Sequence, residues 1–319
     1  MSTCLVTGGA GFIGSHMARR LIADGHKVVV LDNEATGFRA NVPSEAVYFK
    51  GDVINPADVR LVFEQKLDGV FHIAGQASTI RSFDRPHDDL QTNVAGTLNI
   101  VQACLEWRVP RLMFASSMTV YGHPTQIPTP ETEPCLPVSY YGVGKYAAER
   151  YALATASRVD LGFGFNVTAF RMFNVYGERQ SLTNPYQGVV AIFLGNLLRR
   201  EPITIHGDGE QSRDFVYIDD VVNAWMLALN DEAAYNQVFN LGSGESQSIN
   251  QLVDVCLTAL GYSRANYSLH YARPRPGDQR HMQAAIGKVH RTLKWAPRTS
   301  FTDGMAHTVN WAMEHARRA

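Results

Sequence analysis

The chain has 319 residues, 45% of them apolar and 18% charged, with 29 Lys and Arg against 30 Asp and Glu. That length supports one large domain or two modest ones around an ordinary core, so neither disulfides nor structural metals are needed for stability. The near-zero charge balance argues against the basic faces that nucleic acids and membrane surfaces require, while small anions stay open because a few local arginines bind them. Cys4, Cys104, Cys135 and Cys256 are scattered without a CxxC pair, and the histidines show no metal-ligand spacing, so free thiols and no metal site are expected. There is no apolar run of bilayer-crossing length and no basic stretch ahead of the first apolar residues, which fits a cytoplasmic protein with no membrane partner.

Residues 5–7 open a short apolar strand, followed by a glycine-rich turn and a helix with Ile13, Met17 and Leu21 at i, i+4 and i+8. Residues 27–32 are too apolar for a strand with one wet face and suit a buried parallel strand. Further strands are expected at 47–50, 70–73, 112–116 and 167–171. Asn55 can cap a helix whose first turn takes Pro56, and a second helix is expected over 93–107 with Val94, Leu98, Val101 and Leu105 on one face. This alternation predicts an α/β fold, a Rossmann-like doubly wound parallel sheet. Beyond Phe173, helical stretches at 189–199, 249–260 and 305–317 are separated by loops rich in Gly, Pro and Arg, including 273–278. The expected organisation is a dinucleotide-binding domain over 1–174, with a return segment near 215–242, and a smaller C-terminal α/β substrate domain over most of 175–319. The cleft between them is the default ligand site.

The turn Thr7-Gly8-Gly9-Ala10-Gly11-Phe12-Ile13-Gly14 follows the first strand and opens the first helix. Glycines there permit a tight turn, close approach to a pyrophosphate, and close helix–sheet packing, with the phosphates on the helix N-terminus. Asp32 lies 18 residues after Gly14 at the end of the second strand, where a carboxylate accepts ribose hydroxyls and repels a 2′-phosphate. The next residue is Asn33 rather than Arg, so NAD is expected over NADP. Further along, Tyr141 and Lys145 stand one helical turn apart, and Ser116 and Ser117 end an expected strand at the ligand side of the sheet. A phenol is a poor base near neutral pH, and a nearby lysine with a positive nicotinamide ring would favour its phenolate.

Together with Gly51-Asp52-Val53, His72-Ile73-Ala74-Gly75, Asn93, Arg171-x2-Asn174-x2-Gly177 and Arg213-Asp214-Phe215, these motifs run in order over nearly the whole chain. The sequence resembles the extended short-chain dehydrogenases/reductases, most closely the nucleotide-sugar 4-epimerases of the UDP-glucose or UDP-N-acetylglucosamine type. The resemblance implies a catalytic set of Ser117, Tyr141 and Lys145, the first two also touching substrate. It implies a cofactor shell of Gly8, Gly11, Phe12, Ile13 and Gly14 in the turn, with Asp32 and Asn33 beside the ribose. Asp52 and Val53 would lie near the adenine, Ala74 and Asn93 deeper in the shell, and Tyr141 and Lys145 on the nicotinamide ribose. Asn174, Arg213, Arg275 and Asp278 match positions that grip the nucleotide diphosphate and ribose of a UDP-linked sugar. Met282 matches a position whose bulk distinguishes N-acetyl-accepting relatives from stricter hexose epimerases. The resemblance also implies a homodimer paired through the helices at 93–107 and 141–158, with Tyr146, Ala147, Tyr151 and Ala154 on the second.

The site itself must choose the reaction. Related dehydratases carry an Asp-Glu pair just after the catalytic hydroxyl residue, and decarboxylating relatives keep the glutamate; here those positions are Met118 and Thr119, which supply neither acid nor base. Reversible oxidation at carbon 4 through a transient 4-keto sugar is therefore expected. A nucleotide-sugar dehydratase, reductase or decarboxylase, and a non-catalytic NAD-binding sensor, stay open as alternatives, as does the choice of sugar.

Overall fold

Along the central strands, successive residues bury on opposite faces of one sheet. Cys4, Val6, Val28, Val30, Phe71 and Met113 belong to one core cluster, while Leu5, Val29, Leu31, Val70 and Leu112 belong to another. Burial on both faces is why Lys27–Asp32 reads as a continuous apolar run. The computed structural model describes residues 1–186, 188–275 and 277–316; Pro276 of the 273–278 run and Arg317 of the expected C-terminal helix lie outside them.

Seven strands pair in parallel in the order Gln237–Leu241, Asn166–Met172, Arg111–Ser117, Gly69–His72, Thr3–Thr7, Lys27–Asp32, Val47–Lys50. The chain builds outward from Thr3–Thr7 in one direction and then returns to Gly69–His72 on its other side, and ligands of open α/β sheets bind in the crevice at such a reversal. Pro56–Phe63, Gly96–Glu106 and Tyr140–Ala156 cover one face through Phe63, Ile100 and Ala152. Phe12–Ala23 and Ile218–Leu229 pack on the other face and on each other.

The Asn55 side chain accepts from Ala57 N at 3.1 Å with Pro56 in the first turn, as its sequence predicted. The next expected helix differs. A π-helical turn at Gln91–Ala95 precedes Gly96–Glu106. Of the expected face, Val94 and Val101 are buried, while Leu98 and Leu105 are half-buried because the helix turns Thr97, Ile100 and Cys104 inward.

Past the sheet's sixth strand, short strands pair locally: Asn174–Tyr176 with Phe215–Tyr217, Ile203–His206 with Leu269–Ala272, and Ser212–Arg213 with Gln247–Ser248. The helices Val189–Arg199, Ile249–Ala259 and Phe301–Ala316 share the core cluster of Phe71 through Leu194, Leu252 and Val309. Among the described residues no helix is long and apolar enough to cross a membrane. All four cysteines are free thiols.

Candidate active site

The glycine turn folds back on the second strand: Gly8 N donates to Leu31 O at 2.8 Å and Gly11 N to Gly8 O at 3.0 Å. A Cβ at Gly14 would stand 2.1 Å from Gly8 O, so only glycine lets the helix start this close to the turn. Gly11 caps that helix without a side-chain hydrogen bond, leaving its first amides open to an anion. Asp32 accepts from Ala10 N at 2.9 Å and Glu34 N at 2.7 Å. Burial raises its pKa and these backbone donors oppose the rise. Asn33 Nδ2 donates to Asp52 Oδ2 at 2.7 Å. Gly8, Phe12, Ile13, Val53 and Ala74 line the same cleft of about 840 Å³ as these polar residues. An uncapped helix N-terminus facing a carboxylate-rich edge fits a dinucleotide whose pyrophosphate meets the amides and whose ribose hydroxyls meet Asp32.

The strand Arg111–Ser117 delivers Ser117 to the crevice, where its Oγ accepts from Thr119 Oγ1 at 3.0 Å. Ser139 caps the helix Tyr140–Ala156 by accepting from Gly142 N at 3.1 Å, which brings Tyr141 into the cleft. Burial pushes the Tyr141 phenol up to about 12; the hydrogen bond with Ser117 opposes this, and the Asp89 carboxylate adds to it. Lys145 is buried and donates to Ala115 O at 3.1 Å. Burial pushes its ammonium down to about 8, opposed by Asp89. The Lys145 ammonium turns to a backbone carbonyl, and at the phenol it is the Ser117 hydrogen bond that opposes burial.

Asn93 is also buried, and both its Oδ1 and Lys145 Nζ stand 2.8 Å from where a Gly75 side chain would begin. Neither Asn93 nor Lys145 lines the cleft wall; both lie beneath Gly75, which does. Under the strand Arg111–Ser117, Ser116 Oγ donates to Glu149 at 2.6 Å and Arg171 binds the same carboxylate at 2.6 and 3.1 Å. Met118 lines the cleft as an apolar residue.

Asn174, Arg213, Arg275 and Asp278 all line the cleft as well. Arg213 is set in place by its neighbour Asp214, fully buried and accepting from Ser243 N, Gly244 N and Ala284 N. Arg213 pairs with Asp278, and Arg275 is desolvated with the same carboxylate as its counter-charge. Met282 is fully buried and does not line the cleft. It packs in a cluster with Met118 and Phe173, so any influence on a ligand passes through those two, which do form the wall. Sequence reasoning missed Asp89, Gln180 and Gln211. The side-chain oxygens Gln180 Oε1 and Gln211 Oε1, like Asn174 Oδ1, are buried without a partner among the described residues, and all three side chains line the cleft. Isolated glutamines carry no sequence signal; only burial exposes them.

A Rossmann-like sheet, an anion cradle at its first helix, and Ser117 and Tyr141 at the crevice with Lys145 buried behind it define a dinucleotide-dependent enzyme of the short-chain dehydrogenase/reductase class. The chain belongs to the NAD dependent epimerase/dehydratase family, whose model matches residues 4–242. It is 37% identical to a UDP-glucose 4-epimerase of Mycolicibacterium smegmatis, over 96% of this chain and 97% of that protein. Its fold is similar to the UDP-glucose 4-epimerase of Thermotoga maritima crystallised with UDP-glucose, at a TM-score of 0.92 and 37% identity over 98% of this chain and 99% of that one. A UDP-N-acetylglucosamine 4-epimerase from Methanobrevibacter ruminantium M1, in complex with UDP-N-acetylmuramic acid, is similar at a TM-score of 0.89 and 33% identity, over 98% and 99% of the two chains.

Proposed function

We propose that the protein is an NAD-dependent 4-epimerase of a UDP-hexose or UDP-N-acetylhexosamine. The observation that carries this reading is the company Tyr141 keeps. It shares the crevice with Ser117 and with the apolar Met118, and Thr119 directs its hydroxyl to Ser117. Among the described residues the acids lining the cleft are Asp32, Asp52, Asp88 and Asp278. The first two belong to the cradle end, Asp88 pairs with Arg85 and Asp278 with Arg213, which leaves no carboxylate beside Ser117 for dehydration.

Tyr141 takes the proton of the 4-hydroxyl and returns it to the oxygen after the sugar has turned. Ser117 accepts from Thr119, so its own proton is free to point at the phenol or at the sugar oxygen. With the phenol at about 12, ionising it at pH 7 costs ~7 kcal/mol, which the protein does not offset alone. When bound, oxidised NAD would supply a reversible acceptor for the hydride of carbon 4 and a positive ring that favours the phenolate. Gly8, Gly11, Phe12, Ile13 and Gly14 hold its pyrophosphate half, Asp32, Asn33, Asp52 and Val53 its adenosine, and Ala74, Asn93, Tyr141 and Lys145 its nicotinamide half. Arg213, Arg275, Asp278 and Asn174 hold the nucleotide diphosphate while the hexose rotates, because contacts remote from carbon 4 anchor the substrate without fixing the reacting ring. Residues 1–174 with the return segment 215–242 then serve the cofactor, and the rest of 175–319 serves the sugar nucleotide.

A cytoplasmic homodimer completes the reading. Val143 and Tyr151 are each half exposed and lie eight residues apart on the catalytic helix, with Ala147 between them and Ala154 just beyond, which gives an apolar stripe for a second copy. Tyr146 turns partly inward, toward Met118 and Phe173.

Proton NMR of the purified protein with UDP-glucose and with UDP-N-acetylglucosamine tests the function. One of them should convert to a mixture with its 4-epimer, and Tyr141→Phe should cut turnover ~10²–10⁴-fold while retaining NAD. A 4-keto-6-deoxy product, or full activity in Tyr141→Phe, would refute the assignment.

A further inference from the structure

Asp89 is a buried carboxylate beside the catalytic pair. It is 2% exposed, and its Oδ1 accepts from Gln76 Nε2 at 2.7 Å and from Asn93 Nδ2 at 3.0 Å. Those partners are tied to one another, since Asn93 Nδ2 also donates to Gln76 O at 3.0 Å and Gln76 Nε2 to Ser78 O at 2.8 Å. The carboxylate is thereby fixed to the loop that follows the strand Gly69–His72. Its other oxygen, Oδ2, packs on the catalytic helix at Gly144, where a Cβ would stand only 3.1 Å away. Gly144 lies between Tyr141 and Lys145, so the missing side chain lets a negative charge reach the turn that carries both.

We infer that Asp89 is a positioning residue that keeps the Lys145 ammonium charged and sets the pH range in which the Tyr141–Lys145 pair works. This rests on the proposed use of that pair as the catalytic base and its ribose-holding partner. An ammonium buried against one carbonyl loses hydration that a single hydrogen bond does not replace, and a carboxylate acting through a low-dielectric interior offsets the loss. The titratable groups that face one another here are Asp89 from Pro86–Leu90, Tyr141 and Lys145 from the catalytic helix, and His72 from the neighbouring strand. His72 is held neutral by burial and by Lys145. Asp89 acts on the pair with one sign: it favours the protonated form of both Lys145 and Tyr141.

Asp89→Asn keeps the shape and an acceptor and removes the charge. In cofactor-free protein with ¹³C-labelled lysine side chains, the Lys145 resonance, assigned with Lys145→Arg, should titrate about one pH unit lower in Asp89→Asn than in wild type. In the holoenzyme both limbs of the bell-shaped pH profile of kcat should move toward lower pH. A structural role alone would reduce activity and leave the Lys145 midpoint and both limbs where they were, and that result would overturn the inference. Should Asp89→Asn not fold, Gly144→Ala decides: it retains the charge but displaces it from the turn, so a smaller shift in the same direction supports the inference and an unchanged midpoint refutes it. Wild-type protein without epimerase activity at any pH would sink the functional reading, while the Lys145 titration would still judge Asp89.

Discussion

Replacing one member of the Glu149–Arg171 pair should destabilise the protein far more than replacing both. Glu149 is fully buried and the Arg171 side chain is 7% exposed, so neither charge has water to fall back on. Glu149 accepts three hydrogen bonds, from Ser116 Oγ at 2.6 Å, Arg171 Nη2 at 2.6 Å and Arg171 Nε at 3.1 Å. Arg171 Nη1 also donates to Tyr121 OH at 3.0 Å, which in turn donates to Asn240 at 2.6 Å. Glu149→Leu strands the guanidinium and the Ser116 hydroxyl, and Arg171→Met strands the carboxylate; breaking a buried pair from one side costs roughly 3–5 kcal/mol. The double variant leaves two apolar side chains of similar volume, a replacement that is often close to neutral for a buried ion pair. The double variant should therefore be at least ~2 kcal/mol more stable than the sum of the single losses implies. Urea unfolding followed by circular dichroism measures this as a shift in midpoint at unchanged slope. Single losses below ~1 kcal/mol, or singles that add to the double within ~0.5 kcal/mol, would refute the claim that the two charges compensate one another.

Arg213→Gln removes a desolvated cation that is proposed to anchor the nucleotide diphosphate, so KM for the sugar nucleotide should rise ~10–100-fold with kcat nearly unchanged; a loss confined to kcat would contradict that role. His72 lies between Thr7 Oγ1 at 2.8 Å and Thr97 Oγ1 at 3.0 Å, and burial depresses its pKa to about 3. Between the unfolded value of ~6.5 and that folded value the unfolded chain binds the extra proton, so this histidine's contribution is complete above pH ~6.5 and falls by about 1.4 kcal/mol per unit as pH drops toward 3. Urea unfolding of wild type and His72→Gln at a series of pH values should show the wild type losing stability faster on acidification, and parallel pH dependences would refute it.

The central strands could be read from sequence because a parallel sheet covered on both faces makes burial alone decide their composition. Lys27–Asp32 is the plainest case, with five consecutive residues buried. Gln237–Leu241 has no such run, since it is an edge strand whose first two residues are only half-buried. Ser212–Arg213 and Gln247–Ser248 have two residues each, too few for any periodicity to register. In the helix near Asn93 side-chain spacing is ambiguous rather than blind: Thr97 and Leu98, like Cys104 and Leu105, flank Val101 at similar angles of a regular helix, and packing turns Thr97 and Cys104 inward.

The same division between local and distant causes runs through the site. Gly8 to Gly14 within one turn, Asp32 at the end of one strand, and Tyr141 with Lys145 on one helix are spacings that the backbone of a single element enforces, so the sequence carries them in full. Met282 shows where this fails: the resemblance gives it as a position whose bulk bears on the sugar, and packing sets it in a cluster with Met118 and Phe173, which line the cleft while it does not. Asp89 shows the reverse. It sits in Pro86–Leu90 beside two other polar residues, His87 and Asp88, where acidic residues ordinarily face water, and it becomes an interior charge only because Gly144 lets that short helix dock on the catalytic one. Before the fold is known, a glycine in the YGVGK segment looks like a tolerated weakness in a helix. Once it is folded, that glycine is the opening through which the charge state of Lys145 is controlled, which no pattern within either segment could express.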